Sequence, residues 1–186
     1  MHPWHDVPLG PKPTERFQCV IEIPRGNKTK YEVDKETGML RMDRVLYSAV
    51  HYPANYGFLP RTYCEDGDPL DVLVLAQEPF VPLCLVWARP IGVITMIDEK
   101  GKDDKVIAVA ETDPEFSRYE EISQLPPHRL KEVKRFFQDY KVLEKKVVNV
   151  DKIRGHRDAS QAIRRAVRLY QKAILPKLVR QNCGCD

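Results

Sequence analysis

The sequence predicts an α+β fold: a small closed antiparallel β-barrel, OB-like with a five-stranded core, carrying two C-terminal helices packed on it. Two observations support this. Short segments rich in β-branched and aromatic residues, separated by Gly, Pro and Asn turns, fill the first two thirds of the chain. In the last third the apolar period changes to steps of three and four residues. Strands followed by helices give α+β. With 186 residues and 42% apolar side chains there is material for one well-buried core, and residues 1–186 are expected to form a single domain.

Residues 1–15 are dense in proline and are expected to form an extended arm over the surface, with no helix. Strands are expected at residues 17–23, 30–33, 40–43, 70–75, 83–88, 91–97 and 106–110. The turns between them fall at residues 24–27, 37–38, 66–67, 89–90 and 100–101. From 129 to 144 the positions Leu130, Val133, Phe136, Phe137 and Tyr140 mark an amphipathic helix starting just after Pro126-Pro127. In a second helix Asp158 and Gln161 resemble a capping box, and Ala162, Ile163, Ala166, Val167, Tyr170 and Ile174 form one stripe ending near Pro176. Residues 182–186, with Cys183 and Cys185, are expected to form a flexible tail.

Thirty basic and 27 acidic residues leave a net charge of +3, so bulk electrostatics argue for neither a nucleic acid nor an anionic membrane as partner. The longest apolar run, near residues 81–88, is far short of a membrane span, and the N-terminus lacks a signal-peptide pattern. Five cysteines without a framework spacing suit a reducing compartment. A soluble cytoplasmic protein is expected.

The most informative stretch is Asp66-Gly67-Asp68-Pro69-Leu70-Asp71, which runs directly into Val72-Leu73-Val74-Leu75. Three carboxylates on a Gly/Pro turn entering a buried strand are costly unless something compensates their charge. Carboxylate oxygens are hard ligands suited to Mg²⁺ or Mn²⁺. The spacing excludes an EF-hand, because Asp71 stands where that loop needs Gly and Gln77 where it needs the bidentate Glu. A second acidic segment, Asp98-Glu99 through Asp103-Asp104, reads alone as a charged hairpin loop, but a barrel can bring two such loops to one rim.

Groups suited to phosphate lie near strand ends: Lys30, Arg44, and the hydroxyls of Tyr52 and Tyr56. Taken singly, each is better read as a surface charge or a core aromatic. A Gly-x-Ser-x-Gly elbow, a Walker loop, Gly-x-Gly-x-x-Gly and His-Glu-x-x-His are all missing from the sequence, and the five histidines show no ligand spacing.

The Asp66 to Val72 motif resembles the signature of the soluble family I inorganic pyrophosphatases. Val20-Ile21-Glu22-Ile23-Pro24, Lys30-Tyr31-Glu32, Asp43-Arg44, Tyr52 to Gly57, Asp98-Glu99, Asp103 with Lys105, and Phe136 to Lys141 fall in that family's order. The resemblance covers roughly residues 16–175, leaving the arm and the cysteine tail outside it. It implies hydrolysis of pyrophosphate to two phosphates, with several Mg²⁺ ions that Mn²⁺ or another divalent ion can replace. Asp66, Asp71, Asp98 and Asp103 match the metal ligands, and Asp68 matches the carboxylate that deprotonates the attacking water. Lys30, Arg44, Tyr56, Tyr140 and Lys141 match the groups that hold the phosphoryl units, with Glu22, Glu32, Tyr52 and Lys105 in support. A homo-oligomer, hexamer or smaller, is implied as well.

Other readings fare worse. An oligonucleotide-binding barrel predicts a basic, aromatic face, against the clustered aspartates. A glycosyltransferase using Asp-x-Asp needs a nucleotide-binding half that this length hardly accommodates. A non-catalytic scaffold is at odds with retention of every matched group.

Overall fold

In a computed structural model, residues 1–98, 101–146 and 148–183 are described, without the side chains of Asp98 and residues 181–183. The Asp98 carboxylate, Glu99, Lys100 and the Cys183 and Cys185 thiols of the expected tail therefore lie outside the described residues. The elements are β1 (Phe17–Ile23), β2 (Thr29–Val33), β3 (Leu40–Val45), β4 (Asn55–Phe58), β5 (Asp71–Leu75), β6 (Leu85–Asp98), β7 (Gly101–Ala110), α1 (Pro127–Asp139), β8 (Asn149–Gly155), α2 (His156–Ala173) and α3 (Leu175–Cys183).

Five strands close into a barrel in the order β1, β4, β5, β7, β6, and β6 returns to β1 through Phe17↔Ala88 to Val20↔Leu85. Strand β8 adds to the outside of β6, and β2 with β3 form a separate hairpin. One ladder departs from the antiparallel expectation, because β5 and β7 run parallel. That register sets Asp71 opposite Lys105, and since side chains alternate along a strand, Asp103 shares the face of Lys105.

The expected turn at Arg89-Pro90 is absent, and β6 runs through it as one strand of 14 residues. Proline lacks a backbone donor, and the register shift between Pro90 and Gly92 is a bulge where that donor is not needed. Strand β4 packs so closely on β1 that a Cβ at Gly57 would meet the Val20 carbonyl oxygen at 1.9 Å.

The runs Val72–Leu75 and Val106–Val109 are apolar on both faces because both are covered. Leu73, Leu75, Ile107 and Val109 pack with Phe136 and Phe137 of α1. Val72, Val74, Val106 and Ala108 pack with Ile163 and Ala166 of α2. Helix α1 has Pro127 at its first position and ends at Asp139, and a short 3₁₀ turn at Val142–Glu144 takes the place of its expected last turn. Helix α2 begins at His156 with Gly155 as N-cap, so Asp158 lies in the first turn, where its charge suits the helix dipole, and does not cap. It ends at Ala173, and α3 follows through Pro176. The N-terminal segment buries Trp4, Val7 and Leu9 against the body. Among the described residues no helix is long and apolar enough to cross a membrane.

Candidate active site

A cavity of about 400 Å³ opens between the barrel, the β2–β3 hairpin and the end of α1. The loop before β5 brings Asp66 and Asp68 to its wall, β5 brings its first residue, Asp71, and β7 brings Asp103 and Lys105. The hairpin contributes Lys30, Glu32 and Arg44, and the residues just after α1 contribute Tyr140 and Lys141. Glu22, Tyr52 and Tyr56 complete the lining among the sequence-predicted positions. Only Asp98 is not placed, its side chain being outside the described residues.

At the centre is Lys105, 4% exposed. Its ammonium lies 2.5 Å from Asp71 Oδ2 and 2.9 Å from Asp103 Oδ2. It also donates to the Tyr56 hydroxyl at 2.9 Å, which in turn donates to Asp71 Oδ2 at 2.6 Å. Burial pulls this ammonium down, but Asp103 and Asp71 outweigh it and hold it well above the usual lysine value. The Tyr56 phenol is pushed up by burial and then by the Asp71 charge.

The basic wall is held by its own carboxylates. Lys30 pairs with Glu32 and, at 3.3 Å, with Asp43. Arg44 pairs with Asp43 and, at 2.9 Å, with Glu144. Glu22 accepts from the Val33 amide at 2.7 Å, and burial pushes its carboxyl up to about 8. Tyr52 is buried between the rings of Tyr56 and Phe136, at 5.3 and 4.8 Å, and the Lys141 ammonium lies 5.3 Å from the Tyr140 ring centroid.

The acidic wall fits a divalent cation in its donor chemistry. The Asp66 carboxyl is raised by burial and then by the charges of Asp68, Asp103 and Asp71, a repulsion that a cation between them would relieve. Its donors are hard carboxylate oxygens, as Mg²⁺ prefers. Among the described residues no three His, Cys, Asp or Glu side chains converge as a finished metal cage; the Lys105 ammonium stands between Asp71 and Asp103. Mg²⁺ is ordinarily held by a few carboxylates together with waters and substrate oxygens.

Comparison with known proteins settles the family. Residues 19–171 match the model described as Pyrophosphatase: Inorganic pyrophosphatase. The chain belongs to the inorganic pyrophosphatase family. It is 55% identical over 179 residues to soluble inorganic pyrophosphatase 2 of Chlamydomonas reinhardtii, covering 96% of this chain and 93% of that one. It is likewise 55% identical over 177 residues to the soluble inorganic pyrophosphatase of Zea mays, covering 95% of this chain and 83% of that one. Among solved structures, the inorganic pyrophosphatase of Thermus thermophilus superposes with a TM-score of 0.87 at 40% identity, over 91% of this chain and 99% of that chain.

Around this pyrophosphatase-family cavity stand further residues to which the sequence alone assigns no role, Asp43 alone among them falling within a motif that resembles the family. Lys35 forms an ion pair with Asp68 and donates to the Gly67 carbonyl at 3.1 Å. Asp43 bridges Lys30 and Arg44, and Trp4 and Lys146 also line the cavity. Lys35 sits in an ordinary charged turn, and Trp4 lies in the arm, outside residues 19–171.

Proposed function

We propose that this protein hydrolyses inorganic pyrophosphate to two phosphates in a divalent-metal-dependent reaction, with Asp68 as general base. The observation that supports it is the pairing of two walls in one cavity: Asp66, Asp68, Asp71 and Asp103 on one, Lys30, Arg44 and Lys141 on the other. Two like charges some 4 Å apart repel by about 4 kcal/mol at an effective dielectric of about 20, so an acidic wall alone would reject a polyanion. Asp66, Asp71, Asp98 and Asp103 would hold Mg²⁺, or Mn²⁺ in its place. When bound, such ions neutralise phosphate charge and lower the pKa of water from about 15.7 towards about 7.

Asp68 takes the proton from the attacking water as the new P–O bond forms and the bridging P–O bond breaks. Lys30, Arg44, Tyr56, Tyr140 and Lys141 orient the two phosphoryl groups and neutralise charge on the departing phosphate. Lys105 holds Asp71 and Asp103 in place through the contacts described above. Glu22 and Glu32 fix the hairpin that carries Lys30, and Tyr52 packs behind Tyr56. In this reading the enzyme works in the cytoplasm as a homo-oligomer of six subunits or fewer, without a nucleic-acid or membrane partner. The test is phosphate release from pyrophosphate in Mg²⁺ and in EDTA, with ATP as a second substrate. Fast release that needs the metal and favours pyrophosphate is expected; no release with any divalent ion would overturn the proposal.

A further inference from the structure

The N-terminal arm lies outside residues 19–171, the span of the family match, yet Trp4 lines the active-site cavity at 6% exposure. Its contacts run to both ends of the acidic loop. At the root of that loop, the Trp4 indole donates to the Thr62 carbonyl at 2.8 Å and the Trp4 carbonyl accepts from the Arg61 amide at 2.8 Å. The Arg61 guanidinium donates to the carbonyls of His5 and Asp6, at 3.1 and 3.0 Å. Arg61 has a φ of 54°, a left-handed conformation that a non-glycine residue adopts only when its surroundings hold it there. The next residue, Thr62, is fully buried, and its hydroxyl donates to Leu59 at 2.6 Å and accepts from the Leu70 amide at 2.8 Å. That hydroxyl closes the neck of the loop carrying Asp66 and Asp68.

At the tip of the loop the arm acts through the hairpin. His2 Nδ1 accepts from the Trp4 amide at 3.2 Å, which leaves Nε2 to carry the proton and donate to the Lys35 carbonyl at 3.1 Å. Lys35 is the residue whose ammonium grips Gly67 and Asp68. The fit against the hairpin is close, since a Cβ at Gly38 would come within 2.9 Å of the Pro3 ring.

We infer that the N-terminal arm is a positioning element of the active site, with Trp4 and His2 as positioning residues that set the acidic loop from both ends. The inference rests on the function proposed above for its consequence, tighter divalent-ion binding, and stands apart from it in its geometry. Trp4 ties the neck through Thr62, and His2 ties the tip through Lys35.

The test combines amide hydrogen exchange with Mg²⁺ titration calorimetry on the full chain and its Trp4→Phe, Trp4→Ala and His2→Ala variants. Exchange at Asp68 and Leu70 is expected to rise about tenfold in Trp4→Phe, which keeps the ring and loses one buried hydrogen bond. It should rise further in Trp4→Ala, while β5 and β7 amides stay protected. His2 is only half-buried and stands outside the hydrophobic core, so His2→Ala keeps the test open if Trp4→Ala fails to fold; it should loosen Asp68 alone. Mg²⁺ dissociation constants should rise several-fold in parallel. Unchanged loop exchange, a uniform rise across the barrel, or loosened loops with unaltered Mg²⁺ affinity would each overturn the inference. Absence of Mg²⁺ binding by the unaltered protein would instead sink the metal reading, and the arm would be judged on loop exchange alone.

Discussion

Glu22→Gln is expected to stabilise the protein, and to do so only above mildly acidic pH. Glu22 is buried on β1 and accepts from the Val33 amide, a bond that glutamine can keep through its carbonyl oxygen. Burial first, and then the charges of Asp71 and Glu32, raise its carboxyl from the ordinary 4.5 to about 8. A carboxyl raised in the fold contributes stability that is fully present below its unfolded pKa and is lost as pH rises through the folded one. The window is therefore about pH 4.5 to 8. At roughly 1.4 kcal/mol per unit, the loss across it is about 5 kcal/mol. Glutamine does not ionise, so the variant should match the parent at pH 4.5 and exceed it by several kcal/mol at pH 9. Urea unfolding of both proteins in EDTA across this range measures the difference, and titrating groups that do not interact with Glu22 cancel in the comparison. A difference that does not change with pH would refute the reasoning.

Two further perturbations address the barrel and its centre. Gly57→Ala drives a Cβ into the Val20 backbone and should cost about 3 kcal/mol or more, or give no folded protein. A thermal midpoint close to the parent's would contradict the β1–β4 spacing. Lys105→Met leaves Asp71 and Asp103 facing each other without their cation and should cost about 3–5 kcal/mol in metal-free urea unfolding. A cost below about 1 kcal/mol would mean that water already screens these carboxylates.

Much of this architecture was legible where the local signal and the tertiary role agree. The β1 limits, 17–23, follow from a run of alternating and β-branched residues bounded by Pro24. The stripe on α2 was legible for the same reason, and Ala162, Ile163, Ala166 and Tyr170 are all buried. Strand β4 was not, because four residues with a central glycine carry too little β signal; its strand character comes from β1 and β5 on either side. Strand β8 is not legible either, with alternation too mixed to stand out after a helix. The Pro90 bulge reads as a turn in the sequence, since a proline inside a strand looks like a break until the two neighbouring strands are known.

At the site, the acidic motif was conspicuous because three carboxylates entering a buried strand are costly. That Asp71, Asp103 and Lys105 meet depends on the parallel β5–β7 register, which no local pattern encodes. The contributions of Lys35 and Trp4 come from tertiary contacts of ordinary-looking residues, and that of Asp43, which stands in the Asp43-Arg44 motif, from its place between Lys30 and Arg44.

The measurement that bears most directly on the central claim is pyrophosphate turnover by Asp68→Asn beside the parent protein at saturating Mg²⁺, with Mg²⁺ affinity of both followed by calorimetry. Loss of a general base predicts a fall of roughly 10²–10⁴-fold in turnover, with metal binding and fold retained. Turnover within a few-fold of the parent would remove Asp68 from the role of base and contradict the mechanism built on it.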